Sequence, residues 1–114
     1  MSKRDDKIAL YKEASSKLGL GLSEDLIEKI TVGLGPSIYN KDSESIACGQ
    51  ASELETVRKN FLQKKLGLEN DVSELDAAIK EVCEQMGSSN RNKYRALFYG
   101  LLAVKFNKTS IYDA

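Results

Sequence analysis

There is no histidine in this 114-residue chain, and that absence removes more chemistry than any other feature of the sequence. Without an imidazole there is no Cys/His zinc site and no Ser-His or Cys-His nucleophile pair. Cysteine is scarce too: Cys48 and Cys83 only. They stand in unlike surroundings, one in a polar loop and one at a helical position, and in a reducing compartment both are expected to be free thiols. No apolar run is long enough to span a bilayer. Met1-Ser-Lys-Arg-Asp-Asp6 leads straight into a charged helix with none of the apolar stretch that a secretory signal carries, so the expected location is cytoplasmic and no membrane contact is expected. An excess of charge is missing as well, since 17 Lys and Arg balance 17 Asp and Glu. That removes a general attraction to nucleic acid or anionic lipid and leaves only local patches.

What the chain does have is helical punctuation. The one proline, Pro36, falls between two long stretches of helical spacing. A first helix is expected from about Asp5 to Leu18, with Ile8, Tyr11, Ala14, Ser15 and Leu18 near one face, and Lys17-Leu-Gly-Leu20 has the form of a glycine C-cap. Ser23 is the N-cap of a second helix, with Leu26, Ile27, Ile30 and Leu34 on its face and Gly35-Pro36 as its stop. From Pro36 to Ala51 neither a 3.6 nor a 2 period holds, and a short helix from Pro36 to about Lys41 is left open. Ser52-Glu-Leu-Glu55 reads as a capping box opening a third helix that buries Leu54, Val57, Phe61, Leu62 and Leu66. A second Lys-Leu-Gly-Leu phrase, 65–68, ends it. Asp71 or Ser73 caps a fourth helix carrying Val72, Leu75, Ile79, Val82, Cys83 and Met86 at steps of three and four.

The last helix, read from Asn90 to Phe106, is too apolar for a surface position and should be buried on most sides. Ala96, Gly100 and Ala103 form a seam of small side chains along it, where a second helix, or a second copy of the chain, would approach closely. The segment 107–114 reads as a short, frayed polar tail. The expected fold is therefore one all-α domain, bundle-like or orthogonal, of about five helices with a short sixth left open after Pro36, around a buried C-terminal helix.

Charge is unevenly placed although it sums to zero. The helix after Gly67 is acidic, with Glu69, Asp71, Glu74, Asp76, Glu81 and Glu84 against Lys80, and it lies between two basic stretches. Pairing across neighbouring helices is the plain reading of such a pattern. The sharper one concerns Arg91, Lys93 and Arg95, which sit where a helix start is already positive. They either pair with Glu81 or Glu84 or form, with Tyr99 nearby, a contact site for an external anion or a partner. The glycines at 19, 21, 33 and 35 lack the strand and the Gly-Lys-Ser/Thr of a phosphate loop. DNA binding by a helix-turn-helix over 57–82 fails because its second helix is the most acidic.

Ser52 to Leu68, Leu75 to Met86 and Arg91 to Phe106 together resemble a family of small bacterial proteins classed as a domain of unknown function. The resemblance covers most of the chain and is strongest from Ser52 to Phe106. It implies a bacterial, cytoplasmic, single-domain protein and brings no activity, cofactor or catalytic residue. No catalytic constellation, metal site or cofactor is expected, and Cys48 is the only distinctive nucleophile an enzyme would have. The leading expectation is a non-enzymatic protein–protein interaction module with an unknown partner. The alternative is an anion- or RNA-phosphate-binding protein using the basic start of the last helix.

Overall fold

The computed structural model describes residues 3–112, and among them the secondary structure is helical throughout, without strands. Helix α1 spans Lys3–Leu18, α2 Glu24–Leu34, α3 Lys41–Glu44, α4 Ala51–Thr56, α5 Val72–Gln85 and α6 Arg95–Lys105. Short 3-10 turns at Gly35–Tyr39 and Thr109–Tyr112 follow α2 and α6, and α4 runs on into a π-helical segment, Val57–Lys65. The open question after Pro36 thus resolves into two small elements, with Pro36 in the first turn of the 3-10 helix.

Local chemistry sets most of the boundaries. The Ser23 side chain accepts from the Leu26 amide and starts α2. Gly19, in the left-handed region at φ 65°, ends α1, with Leu20 and Gly19 donating back to the Ser15 and Ser16 carbonyls. The capping box at Ser52 does not form. α4 begins two residues earlier, with Gln50 at its N-cap, and Ser52 lies inside the first turn, where its carbonyl accepts from the Thr56 hydroxyl. Glu55 is paired with Lys59 at 2.6 Å, so it cannot reach back to the helix start.

The third predicted helix is continuous, but its turn widens. Val57, Phe61, Leu62 and Leu66 are all buried as expected. Two of these pairs, Val57/Leu62 and Phe61/Leu66, are five residues apart, a spacing that an α-helix would place roughly 140° round its axis. The π turn, with the Leu66 amide donating to the Phe61 carbonyl at 2.8 Å, brings such pairs onto one side.

α6 is the centre of the packing. Every residue from Ala96 to Ala103 is buried, and α1, α2, α5 and the last 3-10 turn all lie against it. The small seam is filled from within the chain: a side chain at Gly100 would meet Leu22 Cδ1 at 3.2 Å and Ile30 Cδ1 at 3.3 Å. Ala96, Gly100 and Ala103 are all buried within the chain, Gly100 against Leu22 and Ile30. Three other expectations are corrected. α6 starts at Arg95 rather than Asn90, so Arg91 and Lys93 precede it in an irregular segment. Val72 and Val104 are about half exposed, 48% and 52%, because each lies at a helix end turned from the core. The tail folds back instead of fraying: Asn107, at φ 56°, closes α6 with Lys108 donating to the Ala103 carbonyl, and Ile111 and Tyr112 pack on the core. The last two residues of the expected tail lie outside the described residues.

Two glycines separate close packing from helix propensity. Replacing Gly100 by leucine should destabilise the protein by about 1–3 kcal/mol, as overfilling a packed core does. Gly33→Ala should stabilise it by about 0.5–1 kcal/mol, since the only atom near its new methyl is Tyr112 Cε1 at 3.9 Å. Chemical denaturation of both variants measures the two signs.

Candidate functional site

The four residues singled out in the sequence do not converge on one site. Arg95, in the first turn of α6, points inward: its Nε donates to the Ser43 carbonyl at 2.6 Å, one terminal nitrogen to Glu53 Oε1 at 2.6 Å and the other to the Tyr99 hydroxyl at 2.8 Å. The carboxylate that answers it comes from α4, not from Glu81 or Glu84 of α5. Burial alone would weaken the charged guanidinium; Tyr99 and Glu53 outweigh that and hold its pKa above the ordinary value. Tyr99 in turn stacks on Phe61, rings 3.9 Å apart, and is almost wholly buried. Lys93 is buried at 6% exposure and its ammonium donates to the Asn90 carbonyl at 2.6 Å. Only Arg91 faces solvent.

The segment 90–94 is instead a wall. Its backbone forms a turn in which the Asn90 side chain accepts from the Asn92 amide and donates to the Met86 carbonyl. The Ile46 amide donates to the Lys93 carbonyl at 2.8 Å, and Ser45 bridges Tyr94 in antiparallel fashion. The Tyr94 ring lies 4.9 Å from that of Tyr11. Tyr11 is fully buried, and its hydroxyl shares Glu44 Oε2 with Lys7, at 2.7 and 2.8 Å. Burial first, and then the Glu44 carboxylate, push the Tyr11 pKa up, so it stays a neutral donor.

Between this wall and α1 runs a cleft of about 260 Å³, lined by Leu10, Ala14 and Leu18 at helical steps of four, with Glu13 and Lys17 on one side and Asn90, Asn92 and Tyr94 on the other. Leu10 and Leu18 are each 38% exposed. Leu18, expected near the buried face of α1, is turned to the cleft instead, together with Leu10. The spacing of 10, 14 and 18 was its one visible signal.

Cys48 and Cys83 are joined in a disulfide, their Cα atoms 6.1 Å apart. The expectation of two free thiols is corrected. The folded loop brings Cys48 onto the apolar face of α5, a contact between residues 35 apart that no local pattern announces. The acidic α5 meets its basic neighbours as the plain reading holds: Arg58 pairs with Asp76 at 2.9 Å and Lys105 with Glu81. Among the described residues no three acidic, cysteine or histidine side chains gather as a metal site would require, and no helix is long and apolar enough to cross a membrane.

A profile of proteins of unknown function, DUF2853, matches residues 10–110. The chain belongs to the DUF2853 family. A search of curated proteins finds no match. The matched residues run from the middle of α1 to the start of the last 3-10 turn and take in those of this chain that line the cleft, form the Arg95 cluster and carry both cysteines.

Two interactions should prove structural. Glu53→Ala leaves a buried guanidinium short of its carboxylate and should cost about 1–3 kcal/mol, read as a lower denaturation midpoint. Replacing both cysteines by serine removes a crosslink closing a 35-residue loop, and a loss of about 4 kcal/mol is expected from the chain-entropy argument. Calorimetry under non-reducing conditions measures it.

Proposed function

We propose that this DUF2853 protein is a non-enzymatic, cytoplasmic interaction module that receives another polypeptide in the cleft between α1 and the 90–94 segment. The observation that supports this is the pair of exposed leucines, Leu10 and Leu18, set one helical step to either side of Ala14 over an otherwise polar surface. An apolar stripe of this form suits the apolar face of a docking segment. Glu13 and Lys17 on its rim pair with each other at 3.1 Å, so the cleft carries no net charge of its own. The groups with the most distinctive chemistry, Arg95, Lys93, Tyr11 and the two cysteines, are each engaged in internal bonds. That is the pattern of a scaffold rather than of a catalyst.

The alternative, an anion- or RNA-phosphate-binding protein, rests on Arg91, which borders a second cleft of about 340 Å³ together with Lys41. Asp42 and Glu53 line the same cleft and oppose an anion there, so this reading has the weaker support.

Leu10→Glu combined with Leu18→Glu should abolish retention of a partner that binds wild type, with the thermal midpoint unchanged. Val32→Glu, at an exposed position outside the cleft, should leave retention intact. Affinity capture with the three proteins side by side is the measurement. Equal retention by all three would overturn the cleft reading, and retention lost with Arg91→Ala or with rising salt would favour the anion reading.

A further inference from the structure

We infer that Cys48 and Cys83 form a reversible redox site that regulates the α1 cleft, an inference that rests on the cleft reading above for its consequence but not for its chemistry. The loop from Ser45 to Gln50 joins two parts of the molecule. At one end, the Ile46 amide is bonded to the Lys93 carbonyl and Ser45 is bridged to Tyr94, the residue that lines the cleft and meets Tyr11. At the other end, Ala47, Gly49 and Gln50 are exposed, and Cys48 is the residue turned inward. Gln50 caps α4 without a side-chain hydrogen bond. The bond to Cys83 fastens the stretch between the Ile46 amide bond and the start of α4, where Glu53 is held by Arg95.

The two sides of the bond differ in what else holds them. Cys83 belongs to α5, which is anchored independently by Leu75, Ile79 and Val82, all buried. Opening the bond therefore leaves α5 in place and loosens the loop, and with it the Lys93–Tyr94 wall. In a reducing compartment disulfides are transient and serve as redox sensors, and Cys48, only partly buried, is the sulfur within reach of an attacking thiolate.

The reductant is a dithiol, either a small molecule or a protein with two neighbouring cysteines. Its first thiolate attacks the Cys48 Sγ, forming a mixed disulfide and expelling the Cys83 thiolate, which takes a proton. Its second thiolate attacks its own sulfur in the mixed disulfide and expels the Cys48 thiolate, which is protonated in turn. The dithiol gives up two electrons and two protons and becomes a disulfide; the protein gains both. The same oxidised dithiol reverses the sequence.

Amide hydrogen exchange of the intact protein, oxidised and then reduced with dithiothreitol, tests this. Reduction should speed exchange at the Ile46 amide by about tenfold or more beyond whatever acceleration Leu101 and Leu102 in α6 share from the lost crosslink, as expected of a local opening. Cys48→Ala should show the fast Ile46 exchange without dithiothreitol and not respond to it. A partner held by the cleft should be retained less well by reduced than by oxidised wild type. Unchanged Ile46 exchange on reduction overturns the proposal, and so does an equal acceleration at Ile46, Leu101 and Leu102, which would mark a staple of global stability only. If Ile46 responds but no partner is lost with the Leu10 and Leu18 variants, the cleft reading fails and the redox coupling stands.

Discussion

A single guanidinium decides how the two halves of this protein meet. Arg95 opens the most buried helix in the chain, where the helix dipole and the loss of solvent both disfavour a positive charge. It is kept there by the Ser43 carbonyl, the Glu53 carboxylate and the Tyr99 hydroxyl, from the end of α3, the first turn of α4 and the next turn of α6. Removing any one would leave a buried donor without a partner, so the irregular stretch between α3 and α4 cannot drift without a cost of about 1–3 kcal/mol. The bond to Glu53 also explains why α4 begins where it does. With Glu53 committed to Arg95 and Glu55 to Lys59, a start at Gln50 is compatible with both contacts.

The consequences run outward from that cluster. Tyr99, oriented by Arg95, stacks on Phe61, and Phe61 lies in the π segment whose wider turn aligns Phe61 with Leu66 and Val57 with Leu62. A π turn is rare and strains the hydrogen-bond ladder, and the burial of these four apolar side chains is what offsets it here. Fully burying one such side chain contributes about 1.5–3 kcal/mol. The glycine that ends the segment, Gly67 at φ 68°, lets Leu68 donate back to the Leu62 carbonyl. The Lys-Leu-Gly-Leu phrase therefore terminates two kinds of helix, an α turn at Gly19 and a π turn at Gly67.

Much of this was legible in the sequence. The all-α class, the buried last helix, the faces of α2 and α5 and the glycine stop of α1 follow from spacing and capping chemistry, which are local. What spacing could not show are events decided across the chain. The true start of α6 depends on residues 90–94 being pulled into a bridge with Ser45. The tail packs because Asn107 adopts a left-handed turn and Tyr112 finds the core, where burial and the nearby Tyr99 raise its pKa to about 12. The disulfide joins a loop and a helix whose neighbourhood no periodicity reveals. At the candidate site the positions of Arg91, Lys93, Arg95 and Tyr99 could be named, but not their directions: three turn inward and one outward. The nearest acidic helix in the sequence, α5, does not supply the partner of Arg95; Glu53 of α4 does.

The same division bears on function. A chain without histidine can still place reactive groups together through burial, and here burial has been used otherwise. Arg95, Tyr11 and Glu44 are each satisfied by another part of the protein, in bonds that fasten the 40–50 stretch to α6 and α1, while Lys93 is satisfied within its own segment by the Asn90 carbonyl. These two irregular stretches are the parts of the fold with the least regular hydrogen bonding of their own, and the cleft beside α1 is bounded by one of them. A rigid α1 on one side and a wall held by side-chain bonds and one crosslink on the other make a surface whose shape depends on contacts behind it. That dependence is the physical ground for coupling the cleft to the cysteine pair, because the path from Cys48 to Tyr94 runs through two backbone contacts, at Ile46 and Ser45, and through no part of the central helix.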